Sequence, residues 1–310
     1  MKITSTGTQD GRSDNLRGAG LMMLAMAGFV LNDTTVKMAG DTLPLAQLLF
    51  LRGVISTVLL YAVARRMGAI RFDLPAREWG LIALRSFADL GATFFFVTAL
   101  LNMPLANVTA IMQALPLTVT LAAALVFREP LGWRRLSAIG IGFCGVLLIV
   151  RPGVEGFSAW SLFALAAVGL VTIRDLAARR LAHSTPSATV ALVGALLIAL
   201  FAALGTALEG WKPVDLRSGA LVSVAGLLVI VGYIASVATM RVGDVGFVSP
   251  YRYTGMIWAL LLGFVAFGEW PELPTLVGAA IVVATGLFTL YRERVTGRRD
   301  RAVAPPSTRV

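Results

Sequence analysis

The sequence predicts an all-α membrane protein: ten transmembrane helices forming two inverted five-helix repeats around a central cavity. Three observations carry this expectation. The 310-residue chain is 57% hydrophobic and only 14% charged, with a mean hydropathy of +0.80, whereas about a quarter of an ordinary soluble domain is charged. Its apolar residues are bunched into runs of about 20, the length that crosses about 30 Å of hydrocarbon as a helix. The two halves of the chain also resemble each other in pattern.

Windows of about 19 residues place the spans at roughly 18–38, 44–64, 78–101, 104–127, 134–150, 158–178, 186–208, 218–240, 245–267 and 273–291. None alternates as a membrane strand does. In lipid only helices or a closed barrel satisfy the backbone, so helices are expected. Residues 1–17 read as a polar cytoplasmic segment without signal-peptide features, and no processing is expected. Residues 18–151 make the first repeat, 152–292 the second, and 293–310 a basic cytoplasmic tail, "RRDRAVAPPSTRV" at its end, that is expected to be disordered.

Basic residues set the orientation. Arg65, Arg66, Arg71, Arg77, Arg128, Arg134, Arg135, Arg179, Arg180, Arg241 and the tail fall on the side of the N-terminus; Arg151, Lys212 and Arg217 fall on the other. By the positive-inside rule both termini are cytoplasmic, with the chain in a bacterial inner membrane. The net charge of +10 then follows from topology. Its scatter over short loops argues against nucleic acid as a partner.

Cys144 is the single cysteine and His183 the single histidine. No internal disulfide and no Cys/His metal cluster can be built, so no metal and no cofactor is expected. "GIGFCG" (140–145) matches G-x-G-x-x-G, but the dinucleotide motif needs a strand–turn–helix unit in water. Small residues at Ala138 and Gly142 instead permit close helix approach, within the chain or across a homo-oligomer. His183 has no spaced Ser/Asp partners for nucleophilic catalysis.

"LVFREPLGWRRLSAIGIGFCGVLL" (125–148) aligns with "FVAFGEWPELPTLVGAAIVVATGLF" (264–288). Phe127 and Glu129 fall on Phe267 and Glu269, and Gly145 falls on Gly286 after one insertion. At the start of each half, Asp33 and Lys37 fall on Asp175 and Arg179. An odd number of spans per half inverts the second copy, which points to alternating access with a site between the halves. With these features, and with "LNMPLANVTAIMQALPL" ahead of "FREPLGWRRLSAIGIGFCGVLLIVRPG", residues 18–292 resemble the EamA-type members of the drug/metabolite transporter superfamily. The resemblance implies a basket of helices around a cavity, the last span of each half packed peripherally. It also implies transport of amino acids, nucleotide sugars, vitamins or toxic cations, with similarity to bacterial aromatic amino-acid exporters. Trp270 stands where the first copy has a proline.

The ionisable residues inside spans are Asp33, Lys37, Arg52, Arg85, Asp89, Arg174, Asp175 and Arg252. Each costs about 2.5–3.5 kcal/mol if turned to lipid, so they are expected to face the interior or the headgroups. Asp33 can pair with Lys37, and Arg85 with Asp89, at i,i+4; Arg52 has no local partner. Asp33, Asp89, Arg85 and Arg52 are candidates for a charge pair or for proton coupling. Lys37, Arg174 and Asp175 lie near the faces and are expected to snorkel.

Three polar stripes follow helical spacing: Thr109, Gln113, Pro116 and Thr120; Ser249, Tyr253 and Met256; Arg85, Asp89, Thr93 and Phe96. The repeat register puts Gln113 opposite Tyr253 and Thr109 opposite Ser249. These stripes are expected to line one wet cavity, with Arg252 at its rim or wall. A substrate carboxylate would meet Arg252 or Arg52, and an ammonium Asp89. An apolar side chain would lie on Phe95, Phe96, Tyr251 or Trp258. Pro116 and Pro250 are hinge candidates, a static kink being the equal alternative.

The expected function is therefore a secondary transporter that exports amino acids, aromatic or large apolar ones favoured, or similar small metabolites, with a small-molecule substrate and the lipid bilayer as partners. An uptake carrier for a vitamin or nucleoside-like metabolite, of the riboflavin or S-adenosylmethionine type, is the alternative. A membrane-embedded enzyme is more distant, because its loops carry only isolated acids (Glu129, Asp244, Glu269, Glu272).

Overall fold

The computed structural model describes residues 6–66, 70–129, 131–153, 158–182 and 184–303. His183 lies outside them. The described residues form helices and no strand: α1 (Thr6–Ala39), α2 (Leu45–Arg66), α3 (Ala76–Asn102), α4 (Leu105–Met112), α5 (Leu115–Phe127), α6 (Trp133–Val150), α7 (Trp160–Arg179), α8 (Ser187–Glu209), α9 (Leu216–Val242), α10 (Val245–Val248), a 3-10 turn (Ser249–Tyr253), α11 (Thr254–Phe267) and α12 (Leu273–Val303).

Among the described residues, nine segments are long and apolar enough to cross a membrane, with mean hydropathies from 1.4 to 2.4. The ninth expected span, 245–267, is not among them: it is divided into α10, the 3-10 turn and α11. Pro250 is the local cause, because it has no N–H to give the Gly246 carbonyl. Span 104–127 is divided too, into α4 and α5, with Pro116 in the first turn of α5. Two expected boundaries also move. Helix α1 begins at Thr6 rather than near residue 18, and α12 continues to Val303, into the segment expected to be disordered.

Prolines start helices where a missing N–H does no harm: Pro75, Pro104 and Pro186 directly precede α3, α4 and α8. Asp215 caps α9, its carboxylate accepting the Ser218 N–H at 3.2 Å. Hydrogen bonding from the Ser218 side chain first, and from its backbone N–H, holds the Asp215 carboxyl below the usual carboxylate range. After α5 and after α11 the chain turns through the left-handed region, at Arg128 (φ 55°) and Gly268 (φ 66°).

The dominant helix contacts are α1 with α9, α2 with α8, α3 with α7 and α6 with α12. Each joins one helix from before residue 151 to one from after it, so the two sequence halves interleave. Two contacts depend on glycine. A Cβ at Gly28 would stand 3.2 Å from the Gly232 Cα, and one at Gly145 would stand 2.9 Å from the Gly278 carbonyl oxygen. Such approaches bring backbones together where lipid supplies no hydrophobic drive between helices. Gly142 faces Leu117 and Thr285 of the same chain, so this small-residue stripe serves an internal contact.

Polar contacts tie neighbouring loops at each end of the bundle. At one end the Gln47 amide exchanges two hydrogen bonds with the Lys212 backbone, at 2.7 and 2.9 Å. Arg151 pairs with Glu272 at that end, at 2.5 Å. At the other end the buried Glu78 accepts from the Thr185 hydroxyl (2.7 Å) and the Ala182 N–H (3.0 Å).

Candidate functional site

The two divided spans meet. Gln113 closes α4 and Tyr253 opens α11, the residues that the repeat register sets opposite each other. Both line a cavity of about 220 Å³, together with Thr109, Met112, Leu115, Pro116, Arg252, Gly255, Phe96, and Met26, Phe29, Val30 and Asp33 of α1. A second chamber of about 250 Å³ adjoins it. Leu115, Pro116 and Arg252 line both chambers, so the guanidinium stands in the throat between them. The second chamber continues past Thr120 to Glu129, Arg135, Asp175 and Arg179.

Of the substrate-binding candidates, the first chamber collects Gln113, Tyr253, Arg252, Thr109 and Phe96. Four others lie off its lining. Phe95 stacks edge-on against Phe94 and Phe163 (5.5 and 5.3 Å between ring centroids), and Tyr251 stands 5.9 Å from the Phe247 ring. Trp258 packs against the apolar core that includes Val30, Leu48 and Ala259, and Ser249 is buried in the 3-10 turn. Consecutive residues on a helix point about 100° apart, so neighbours of a lining residue are turned away. Met256, expected on the same stripe, is part of the core. Thr93 faces an outer groove beside Phe94.

The α1 face was not expected on the lining. Its signal was present: Met26, Phe29, Val30 and Asp33 recur at helical spacing. Met112, Leu115 and Gly255 carry no such pattern. The Tyr253 hydroxyl is buried without a hydrogen-bond partner among the described residues. It fills the space that any side chain at Gly286 of α12 would need.

Arg174 of α7 reaches across to Asp89 of α3 at 2.9 Å and also binds its own neighbour Asp175 at 3.0 Å. The expected Arg85–Asp89 pair is absent: Arg85 and Asp89 converge on Gly194, each 3.6 Å from where its Cβ would stand, and the Arg85 Nη1 has no partner among the described residues. Asp33 accepts from the Asn32 amide at 2.9 Å, and Arg52 reaches the Asn32 oxygen at 3.4 Å. Arg52 feels the charges of both Asp33 and Asp89. Lys37 does not pair with Asp33. It binds Glu269 at 2.7 Å and the Met103 carbonyl at 2.6 Å. Snorkelling therefore describes neither Lys37 nor Arg174. The Arg252 side chain has no hydrogen bond or ion pair among the described residues, and the residue is exposed and lines the throat. No cluster of three His, Cys, Asp or Glu able to hold a metal occurs among the described residues.

Such a site can bind without reacting. It offers a guanidinium, a carboxylate, an amide and a hydroxyl against methionine and phenylalanine walls, the composition of a small-ligand pocket.

Residues 16–151 match the model of the EamA-like transporter family. The riboflavin transporter of Vibrio cholerae is 27% identical over 294 residues, covering 93% of this chain and 98% of that protein. The S-adenosylmethionine uptake transporter of Rickettsia conorii is 23% identical, over 90% of this chain and 94% of that protein. The pseudopaline exporter of Pseudomonas aeruginosa is 25% identical, over 87% and 95%. A chain of known crystal structure shares the fold with a TM-score of 0.62 at 21% identity, over 91% of this chain and 98% of that one. These relatives are named as transporters at nearly full length, and the apolar helices make the chain a multi-pass membrane protein. In its first-half match and its full-length relatives, the chain is similar to the EamA-like transporter family.

Proposed function

We propose that the protein is a secondary transporter that exports amino acids, aromatic or large apolar ones first, or similar small zwitterionic metabolites, by alternating access between two inverted repeats. One observation carries this reading: Gln113 and Tyr253, at the matched helix breaks, line one chamber that also holds Asp33 and Arg252. Helix breaks at corresponding positions of two halves mark substrate sites in repeat-built transporters. Support for the repeat itself comes from the equal left-handed turns at Arg128 and Gly268. It also comes from the helix pairing: exchanging each span with the one five places on turns α1·α9 into α7·α3 and leaves α2·α8 and α6·α12 unchanged.

The unpaired Arg252 suits a carboxylate, and a carboxylate–guanidinium fork gives both energy and orientation. Asp33 suits the ammonium, and Phe96, Phe29 and Met112 suit an apolar side chain. Each chamber is below the usual 300 Å³ or so of a drug-sized site, which favours a small substrate over a fused-ring vitamin. Asp33 is also the proton-binding candidate nearest the chamber. The orientation with both termini cytoplasmic in the inner membrane follows the basic residues.

Vesicles loaded with labelled phenylalanine are expected to lose it faster with the protein than without. Arg252→Gln is expected to raise KM by about tenfold or more, because a hydrogen bond to a charged group is worth about 1.5–3 kcal/mol. No phenylalanine flux, with riboflavin or S-adenosylmethionine moving instead, would replace this reading with uptake of the larger metabolites. That second reading is favoured by the named relatives and by the shared throat, which lets a longer molecule occupy both chambers.

A further inference from the structure

We infer that two matched ion pairs, Lys37–Glu269 and Arg179–Glu129, seal the cavity alternately at its opposite ends by becoming buried, and that the Lys37–Glu269 pair is the buried, sealing one in this structure. The inference rests on the alternating-access reading and adds to it the groups that hold each state.

The two locks are built alike. At one end Lys37 binds Glu269 at 2.7 Å and lies 4.9 Å from the centre of the Phe267 ring. At the other, Arg179 binds Glu129 at 3.0 Å and lies 5.3 Å from the centre of the Phe127 ring. In each, a base near the C-terminal end of the first helix of one half is held between a phenylalanine and a glutamate two residues on. The glutamate follows the fourth span of the other half. The repeat register sets Lys37 on Arg179, Phe267 on Phe127 and Glu269 on Glu129. Among these matched positions the copies differ only in the choice of lysine or arginine and in the residue at the backbone turn, Gly268 or Arg128.

Their surroundings differ as a closed and an open gate should. The Lys37 and Glu269 side chains are 12% and 26% exposed, against 48% and 49% for Arg179 and Glu129. Lys37 also donates to the Met103 carbonyl, and the second Glu269 oxygen accepts the Leu105 N–H at 2.9 Å, at the start of α4. The first lock thus joins α1, α4 and the loop after α11 in one contact. Glu129 has no such backbone contact among the described residues and instead lines the second chamber with Arg179. Lys37 lies one helical turn beyond Asp33, on the far side of the first chamber from the throat. The open path therefore runs from the Glu129 end, past Arg252, to the Gln113–Tyr253 chamber, and stops at Lys37–Glu269. Passage to the opposite state requires the buried lock to break while Arg179–Glu129 becomes buried.

The test uses the full chain with Cys144→Ser and a reporter cysteine in the chamber, Thr109→Cys, in right-side-out and inside-out vesicles. A membrane-impermeant maleimide is applied from each face. The parent is expected to react faster from the Glu129 face. Lys37→Gln and Glu269→Gln are each expected to raise reaction from the Glu269 face by about tenfold, the loss of one charge-assisted contact. Lys37→Arg should keep the parent pattern, and Arg179→Gln should lower reaction from the Glu269 face. If Glu269→Gln fails to insert, Lys37→Gln against Lys37→Arg decides the same point. Parent-like labelling of Lys37→Gln from both faces overturns the locks and leaves transport standing. A reporter that neither face reaches in any variant overturns the alternating-access reading with them.

Discussion

Arg128 and Gly268 occupy the same left-handed turn with different chemistry. A side chain there meets its own backbone, a cost of about 1–2 kcal/mol that glycine avoids. Arg128→Gly should therefore raise the stability of the detergent-solubilised protein by about 0.5–1 kcal/mol, read from thermal unfolding. A fall would show that the Arg128 side chain makes a contact worth more than the strain. Tyr253 offers a second test. Its ring occupies the place of any side chain at Gly286, so Gly286→Val should destabilise by about 1–3 kcal/mol through overpacking. Adding Tyr253→Ala to that variant should recover folding but not transport, because it removes the clash and the cavity wall together. Recovery of both would take Tyr253 out of the site.

At the scale of elements, the two broken spans separate hinge from kink. Pro116 lies in the first turn of α5, where a missing N–H is tolerated. Pro116→Ala should change stability by less than about 1 kcal/mol while offering an N–H to the Met112 carbonyl and making α4–α5 more continuous. A hinge predicts several-fold slower turnover at unchanged KM; a static kink predicts no change in either. The spans themselves were legible, because hydropathy is a local property and a run of apolar residues has few options in lipid. The break at 249–253 was not drawn from the same signal: window averages pass over one proline and see a continuous apolar run. Pro250 marked the position, but a window average carries no information on whether the chain bends or divides there.

The whole molecule pairs helices across its halves. Each of the four dominant contacts joins one helix from before residue 151 to one from after it. Close backbone approaches, Gly28 to Gly232 and Gly145 to Gly278, cross between the halves, so residues 1–151 or 152–310 expressed alone should be degraded, and co-expression should restore a transporting complex. Stable insertion of a single half would contradict the interleaved packing. Tags at the two termini should react from the same face in intact cells, as the basic-residue bias requires.

By itself the sequence determined that the chain is a helical membrane protein and where most helices run. Those conclusions follow from composition, hydropathy and spacing, which each segment carries on its own. The tertiary structure alone decided the partners. Asp89 binds Arg174 and Lys37 binds Glu269, although an acid or base stood one turn away on the same helix in each case. An i,i+4 pair on one helix is worth only about 0.2–0.5 kcal/mol. A pair between helices shields two charges from lipid and joins segments far apart in sequence, so the geometry of the assembled bundle overrules the local rule.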